Sequence, residues 1–452
     1  MQYEIKYINN KMVFPEFHCN CGYSHDRPDI DIYIGSGILK DCAQYVADGK
    51  LGNNAVLVAD NITYEVAGRF VEEQLMARGF RITLCLLERE DELEPDETAL
   101  GEVLLSMDKD TEFFISVGSG SITDTTRYVA FNTGRPFVSI GTAPSMDGYT
   151  SVVAPLLFNG MKVNKKADCP RVIICDTDIM RKAPVSMFLS GTGDVLGKYI
   201  AKADWVLGSF VKNELYCPVC GDMVMQAVQK CVDNAEEIRN RSEEGTKILI
   251  EALILAGVTI MIIGNTRAVA SVEHNMAHYW EMMKLAAGEK APSHGTAVGV
   301  GTIYSLKFFQ QLLSADPACI DKRKIRAAAQ SGPDREKHMV DCYGPKIAKA
   351  IMKENPEDFL DWSEHEKRID AIVSNWGQIM DEIRELPSLD KMVDIYRKLG
   401  APVSASDIGV DAELLKKTLK CSKDYRSRYN VCKTLDEIGL LDEAVSKICE
   451  AQ

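Results

Sequence analysis

The chain has 452 residues, 46% of them hydrophobic and 26% charged, with 52 lysines and arginines against 66 aspartates and glutamates. That composition is globular, and the length suffices to bury a large core and to hold two domains. The formal net charge of −14 argues against nucleic acid or an anionic membrane as the main partner, though local lysines could still meet a small phosphorylated ligand.

The first residues, Met1 to Lys6, mix charges and have no apolar core, so no secretory signal is expected. With no signal, the 14 cysteines are expected as reduced thiols in a cytoplasmic protein. Short β-branched runs then predict strands at Asp31–Ile34, Asn54–Ala59, Arg81–Leu86, Glu112–Val117, Phe137–Ile140 and Arg171–Cys175. Helical patterns lie between them at Tyr64–Arg78, Ala99–Met107 and Ile122–Asn132. Strand and helix alternating at this spacing imply βαβ units and a mostly parallel sheet. Beyond about residue 180 the strand signals fade. Helical periodicity takes over at Val185–Lys202, Asp222–Ala235, Glu243–Ile263, Val272–Leu285 and Thr296–Leu313. The fold class expected is therefore an N-terminal α/β dinucleotide-binding domain, residues 1–180, followed by an all-α domain, residues 181–452. The run from Ile248 to Gly264 is interrupted by Glu251 and is short for a membrane span, so it reads as a buried helix. Residues 315–401 carry no motif with a chemical reading.

Three clusters carry chemistry. In the first, the strand ending at Val117 runs into Gly118-Ser119-Gly120-Ser121-Ile122-Thr123-Asp124 and then a helical pattern. A strand, a glycine turn and a helix start can hold a pyrophosphate on backbone N–H groups. The usual G-x-G-x-x-G pattern fails at its last position, where Thr123 stands, so the loop points to a phosphate-bearing ligand more than to the common Rossmann type, with an unliganded tight turn and Asp124 near the helix start as the alternative. Asp60 ends the strand before it. A carboxylate there could accept from an adenosine ribose and repel a 2′-phosphate, favouring NAD over NADP, or it could merely cap a helix.

The second cluster holds three of the seven histidines: Glu273-His274-Asn275-Met276-Ala277-His278, then Ser293-His294-Gly295. His274 and His278 are four apart and share a helix face. With Asp194 from Gly193-Asp194-Val195, two imidazoles, a carboxylate and an open position would make a catalytic divalent-metal site. The bland alternative is that His278 is a satisfied core histidine and Asp194 a cap. The third cluster is sulfur: Cys217-Pro218-Val219-Cys220, and His18-Cys19-Asn20-Cys21 with His25. A structural zinc needs four ligands and no second C-x-x-C pairs with the first, so both groups are expected to be ordinary thiols.

With the run Thr142-Ala143-Pro144-Ser145-Met146-Asp147-Gly148-Tyr149-Thr150-Ser151 added, these motifs resemble the bacterial glycerol-1-phosphate dehydrogenases. That family lies within the iron-containing alcohol dehydrogenase and dehydroquinate synthase-like superfamily. The resemblance runs from about Asp31 to Val300 and returns weakly at Tyr425-Arg426-Ser427-Arg428-Tyr429. It implies a dehydroquinate synthase-like fold and an NAD cofactor, with NADP possible. The cofactor contacts it implies are Asp60, Gly118, Gly120, Ser121, Ile122, Thr123, Asp124, Thr142, Ala143, Pro144, Ser145 and Ser151. Asp194, His274 and His294 would hold one divalent metal, zinc or nickel, with iron in some relatives. Asp147 and His278 would meet the substrate's oxygens, with Asp194 beside them. Lys198 stands where some iron-dependent relatives place a fourth, histidine ligand.

The implied reaction is reversible reduction of dihydroxyacetone phosphate to sn-glycerol 1-phosphate, an entry to phospholipid biosynthesis, in a homodimer or larger homo-oligomer. His278 is the proton relay this chemistry would need, and Lys162, Lys165, Lys166, Arg267 and Lys290 are candidate phosphate partners. The approach to His274 departs from the family pattern: Thr266-Arg267-Ala268-Val269-Ala270-Ser271-Val272 keeps the arginine but lacks the proline and glycine expected there. The competing readings are another polyol or sugar-phosphate dehydrogenase, a dehydroquinate synthase-like lyase, and a non-catalytic nucleotide- and metal-binding protein on this fold.

Overall fold

The apolar runs of the first 176 residues assemble into one eight-stranded sheet in the computed structural model, which describes residues 5–14, 19–23, 25, 29–90, 92–158, 161–328, 332–355 and 361–451. The strands are β1 (Lys6–Ile8), β2 (Lys11–Val13), β3 (Asp31–Gly35), β4 (Asn54–Asp60), β5 (Arg81–Leu87), β6 (Phe113–Gly118), β7 (Phe137–Gly141) and, after a separate hairpin β8 (Val153–Phe158) and β9 (Met161–Lys166), β10 (Val172–Asp176). Their order across the sheet is β1-β2-β3-β10-β7-β6-β4-β5. The six strands from β3 to β5 pair in parallel, while β1 with β2 and β2 with β3 pair antiparallel. All six predicted strands are present, each end within one residue of its expected place. The two hairpins are additions. Strands of three residues, and a β8 containing Pro155, give too little alternation to read.

The central parallel strands β4, β6, β7 and β10 are largely apolar because both faces are covered, whereas the edge strand β5 alternates exposed and part-buried residues. Val56, Val58 and Phe114 pack on one side with Val103, Ile122 and Val129. Ala55, Leu57, Phe113 and Ile115 pack on the other with Val46, Val71 and Leu75. Contacts divide the chain into two compact units, Met1–Val195 with Val219–Thr266, and Leu196–Pro218 with Arg267–Gln452.

Among the described residues beyond Asp176, every regular element is helical. The stretch expected as one helix over 185–202 is two, Val185–Leu196 and Lys198–Lys212, meeting at Gly197. Helix Glu243–Ile263 has the length and composition to cross a membrane, but 89% of its most apolar window is buried. A core helix is the sense of that pattern, as expected. Residues 315–401 also form helices, among them Trp362–Ser374, Trp376–Arg384 and Leu389–Leu399. Lys202 and Glu382 join two of the second unit's helices by a 2.5 Å ion pair.

The expectation of reduced thiols throughout needs one correction. Cys342 and Cys421 form a disulfide, with Cα atoms 5.8 Å apart across a sequence separation of 79. The pair lies in an apolar cluster with Tyr279, Met339, Tyr343 and Ile351, so folding of the second unit itself brings the sulfurs together. The remaining described cysteines are not disulfide-bonded. His18 lies outside the described residues.

Candidate functional site

In the first unit the residues expected to contact a cofactor gather at the carboxyl ends of neighbouring parallel strands, where open α/β sheets bind ligands. Asp60 ends β4, Gly118 ends β6, and Thr142 follows β7. Gly118 is in register with Gly141, and the Thr142 N–H donates to Gly118 O (3.1 Å). Helix Gly120–Asn132 starts directly after the glycine turn, carrying Ser121, Ile122, Thr123 and Asp124 in its first turns. Thr123 is buried, and its hydroxyl finds no hydrogen-bond partner among the described residues.

Asp60 is an N-cap. Its Oδ1 accepts from Ile62 N–H (2.9 Å) and Thr63 N–H (2.6 Å), while its own N–H donates to Thr63 Oγ1 (3.1 Å). The cap uses Oδ1 alone, so a role for Oδ2 is compatible with it. Asp124 pairs with the buried Arg127, whose guanidinium also donates to Gly148 O and to Tyr149 O (3.1 Å). Burial pushes the Asp124 carboxyl up to about 7, against the pull of Arg127. This pair ties the helix after the glycine turn to the 3-10 turn Gly148–Thr150. Ser151 closes a turn of its own, its Oγ donating to Val153 O (2.8 Å) and accepting from Val153 N–H (3.0 Å).

The Thr142 to Ser145 run and Asp147 are positioned by helix Val185–Leu196. Asp147 N–H donates to Oδ2 of the fully buried Asp194 (3.0 Å). Asp194 therefore anchors the loop at Asp147 from the interior of its helix. Gly191 makes the close approach possible, because a Cβ there would stand 2.0 Å from Pro144 O.

In the second unit, helix Val272–Ala286 carries His274 and His278, and His294 opens helix His294–Leu313. The three rings converge: His274 and His294 have centroids 5.4 Å apart, and His278 and His294 stack at 5.0 Å. Each imidazole is held by a carboxylate. His274 Nδ1 lies 2.7 Å from Glu273 Oε1, His294 Nδ1 lies 2.7 Å from Glu281 Oε1, and His278 Nδ1 lies 3.3 Å from Glu281 Oε2. Glu273 and Glu281 are both buried, and a carboxylate can only accept, so the Nδ1 atoms carry the protons. That leaves Nε2 as the nitrogen for a metal or a substrate, and it is the usual arrangement behind metal-binding histidines.

The approach to His274 is framed by Arg267. Its Nε donates to Glu214 Oε2 (2.8 Å), and its terminal nitrogens to Ser271 Oγ (3.2 Å), Asp204 O (2.6 Å) and Tyr429 O (2.8 Å). Ser271 in turn donates Oγ–H to Asp204 Oδ2 (2.6 Å) and N–H to Glu273 Oε1 (2.8 Å). Arg267 is thus committed to holding the histidine helix, not to a ligand phosphate. Of the Tyr425 to Tyr429 segment, Tyr425 packs 5.5 Å from His278, and Arg428 donates to Ala270 O (3.0 Å).

Glu273 and Glu281 are the residues that motif reading passes over. Glu281 had a legible signal, standing one helical turn after His278 on the same face. Its reach to His294 depends on how two helices pack and has no sequence signature.

Among known proteins, the glycerol-1-phosphate dehydrogenase [NAD(P)+] of Halalkalibacterium halodurans is 35% identical over 288 residues, which is 63% of this chain and 72% of that protein. The chain belongs to the glycerol-1-phosphate dehydrogenase family. The glycerol-1-phosphate dehydrogenase of Geobacillus thermodenitrificans is 29% identical over 427 residues, 94% of this chain and 96% of its own. The iron-containing alcohol dehydrogenase family profile matches residues 33–184. In fold, an alcohol dehydrogenase from Oenococcus oeni superposes with a TM-score of 0.62 at 17% identity, covering 94% of this chain and 100% of its own. The resemblance read from the motifs and the α/β-then-α fold class both agree with these likenesses. Membership of this dehydrogenase family makes the chain an oxidoreductase.

Proposed function

We propose that this chain catalyses metal-dependent reduction of dihydroxyacetone phosphate to sn-glycerol 1-phosphate with NAD(P)H, reversibly. Residues 1–180 would bind the cofactor and residues 181–452 would supply most of the metal and substrate groups. The observation that carries the reading is the pair of imidazoles, His274 and His294, each with Nδ1 on a buried carboxylate. Two oriented Nε2 donors suit a divalent cation, and Glu273 and Glu281 add negative charge behind them. The names of the relatives support the substrate and the NAD(P) cofactor.

In this reading Asp194, His274 and His294 are the metal ligands. When bound, zinc or nickel supplies Lewis-acid polarisation of a carbonyl, and the nicotinamide supplies hydride. The rest falls to the chain. The glycine turn after β6 and the Thr142 to Ser145 run hold the dinucleotide, and Asp60 Oδ2 takes its ribose. Asp147, fixed through its own N–H, orients the substrate's hydroxyl. His278, steadied by Glu281, delivers the proton that completes the alcohol.

The test is NADH oxidation with dihydroxyacetone phosphate beside dihydroxyacetone, before and after chelation and with Zn²⁺ or Ni²⁺ restored. Chelator-sensitive turnover of the phosphorylated ketone alone is the expected result. Turnover of dihydroxyacetone instead would reassign the chain to a polyol dehydrogenase. No turnover of either, in metal-loaded protein, would sink the proposal.

A further inference from the structure

The first unit carries a second donor cluster that the dehydrogenase reading does not use, upstream of residue 33, where the family match begins. Cys19, Cys21 and His25 bring their ligand atoms within 4.8 Å of one another. Cys21 Sγ lies 3.6 Å from His25 Nε2. His25 Nδ1 lies 2.9 Å from Tyr23 O, a carbonyl that can only accept, so Nδ1 is the protonated nitrogen. Nε2 therefore presents its lone pair on the side of the thiol, as a metal-ligating histidine does. Gly22, at φ 92°, supplies the left-handed turn that folds His25 back over Cys21. Neither cysteine is disulfide-bonded, and both are half-buried.

We propose that Cys19, Cys21 and His25 hold a structural zinc ion, with a fourth donor completing the tetrahedron. Two thiols and one oriented imidazole form a borderline-soft donor set that zinc prefers to magnesium or calcium. Binding releases the two thiol protons, giving thiolates that the cation neutralises. The described residues from 19 to 25 form no helix or strand, so a metal crosslink is what would fix their conformation. Counting C-x-x-C pairs hides this site, because its third donor is an imidazole returned by a turn.

The experiment uses the full chain, loaded with Co²⁺ in place of zinc, and reads the thiolate-to-cobalt charge-transfer absorption in the near ultraviolet. The candidate catalytic ligands Asp194, His274 and His294 offer only oxygen and nitrogen, so such a band reports a sulfur site whether or not the proposed reaction is right. Expected are a band in the wild type, and loss of the band with one equivalent of bound zinc in C19S/C21S. Absence of the band from folded, cobalt-loaded wild type overturns the proposal, as does its persistence in the double variant. Should that variant not fold, His25→Ala keeps both thiols and should shift the band and lose zinc to a chelator faster. Unchanged absorption and zinc retention in His25→Ala would equally overturn the assignment.

Discussion

Glu281 holds two histidines at once: Oε1 lies 2.7 Å from Nδ1 of His294, and Oε2 lies 3.3 Å from Nδ1 of His278. One buried carboxylate thus fixes the ring of a proposed metal ligand and the ring of the proposed proton relay. Its two oxygens couple the orientation of groups on separate helices.

Glu281→Gln should therefore lower metal affinity or turnover by roughly 10–100-fold, since an amide can still touch both rings but cannot accept from both. His274→Ala should lose metal and turnover outright while keeping its circular dichroism spectrum. A metal titration on both variants decides the matter. Wild-type affinity in Glu281→Gln would reduce that residue to a packing role, and retained metal in His274→Ala would remove it from the ligand set.

Asp60 is a helix cap and, in the proposed function, a cofactor contact, and one substitution can separate the two. Asparagine caps a helix about as well as aspartate, so Asp60→Asn should leave the thermal midpoint nearly unchanged. Removing the negative charge should raise the kcat/KM ratio of NADPH to NADH. An unchanged ratio would leave Asp60 as a cap only, fixed by its bonds to Ile62 and Thr63.

Asp204 gives a pH signature of stability. Desolvation pushes its carboxyl up to about 7, with Glu273 adding to the rise while Ser271, Arg267 and the Val431 N–H oppose it. In the unfolded chain an aspartate releases its proton near pH ~4. Between those values the native state binds more protons, so Asp204 makes stability decline as pH rises from about 4 to about 7. Denaturant midpoints measured across that window should flatten in Asp204→Asn. An identical slope in the variant would assign the dependence to other groups.

Gly191→Ala places a methyl 2.0 Å from the Pro144 carbonyl oxygen, which is backbone and cannot rotate away. Helix Val185–Leu196 must shift, at a cost of about 1–3 kcal/mol typical of overpacking. Asp194 would move with it and loosen its bond to Asp147 N–H. The urea midpoint should fall, and an unchanged one would mean that the loop from Thr142 to Asp147 yields easily.

How much of this was legible depended on range. The central parallel strands could be read because Ala55 to Ala59 and Phe113 to Val117 are buried on both faces, which leaves largely apolar runs. The histidine helix could be read because His274 and His278 are local neighbours. The β1–β2 hairpin could not, since three residues carry no period. Nor could the pairing of Cys342 with Cys421, the grip of Glu281 on His294, or the closing of His25 over Cys21. Each depends on a chain path that spacing alone does not encode.

The hydrogen bond from Arg267 to Tyr429 spans 162 positions. Asp204, Glu214 and Ser271, which this guanidinium also meets, are all synthesised far earlier. A ribosome that has just released the histidine helix has therefore delivered only part of the frame that steadies it. The helix gains this restraint only once Tyr429 has been synthesised, so in the proposed function a nascent chain should acquire metal only after that point.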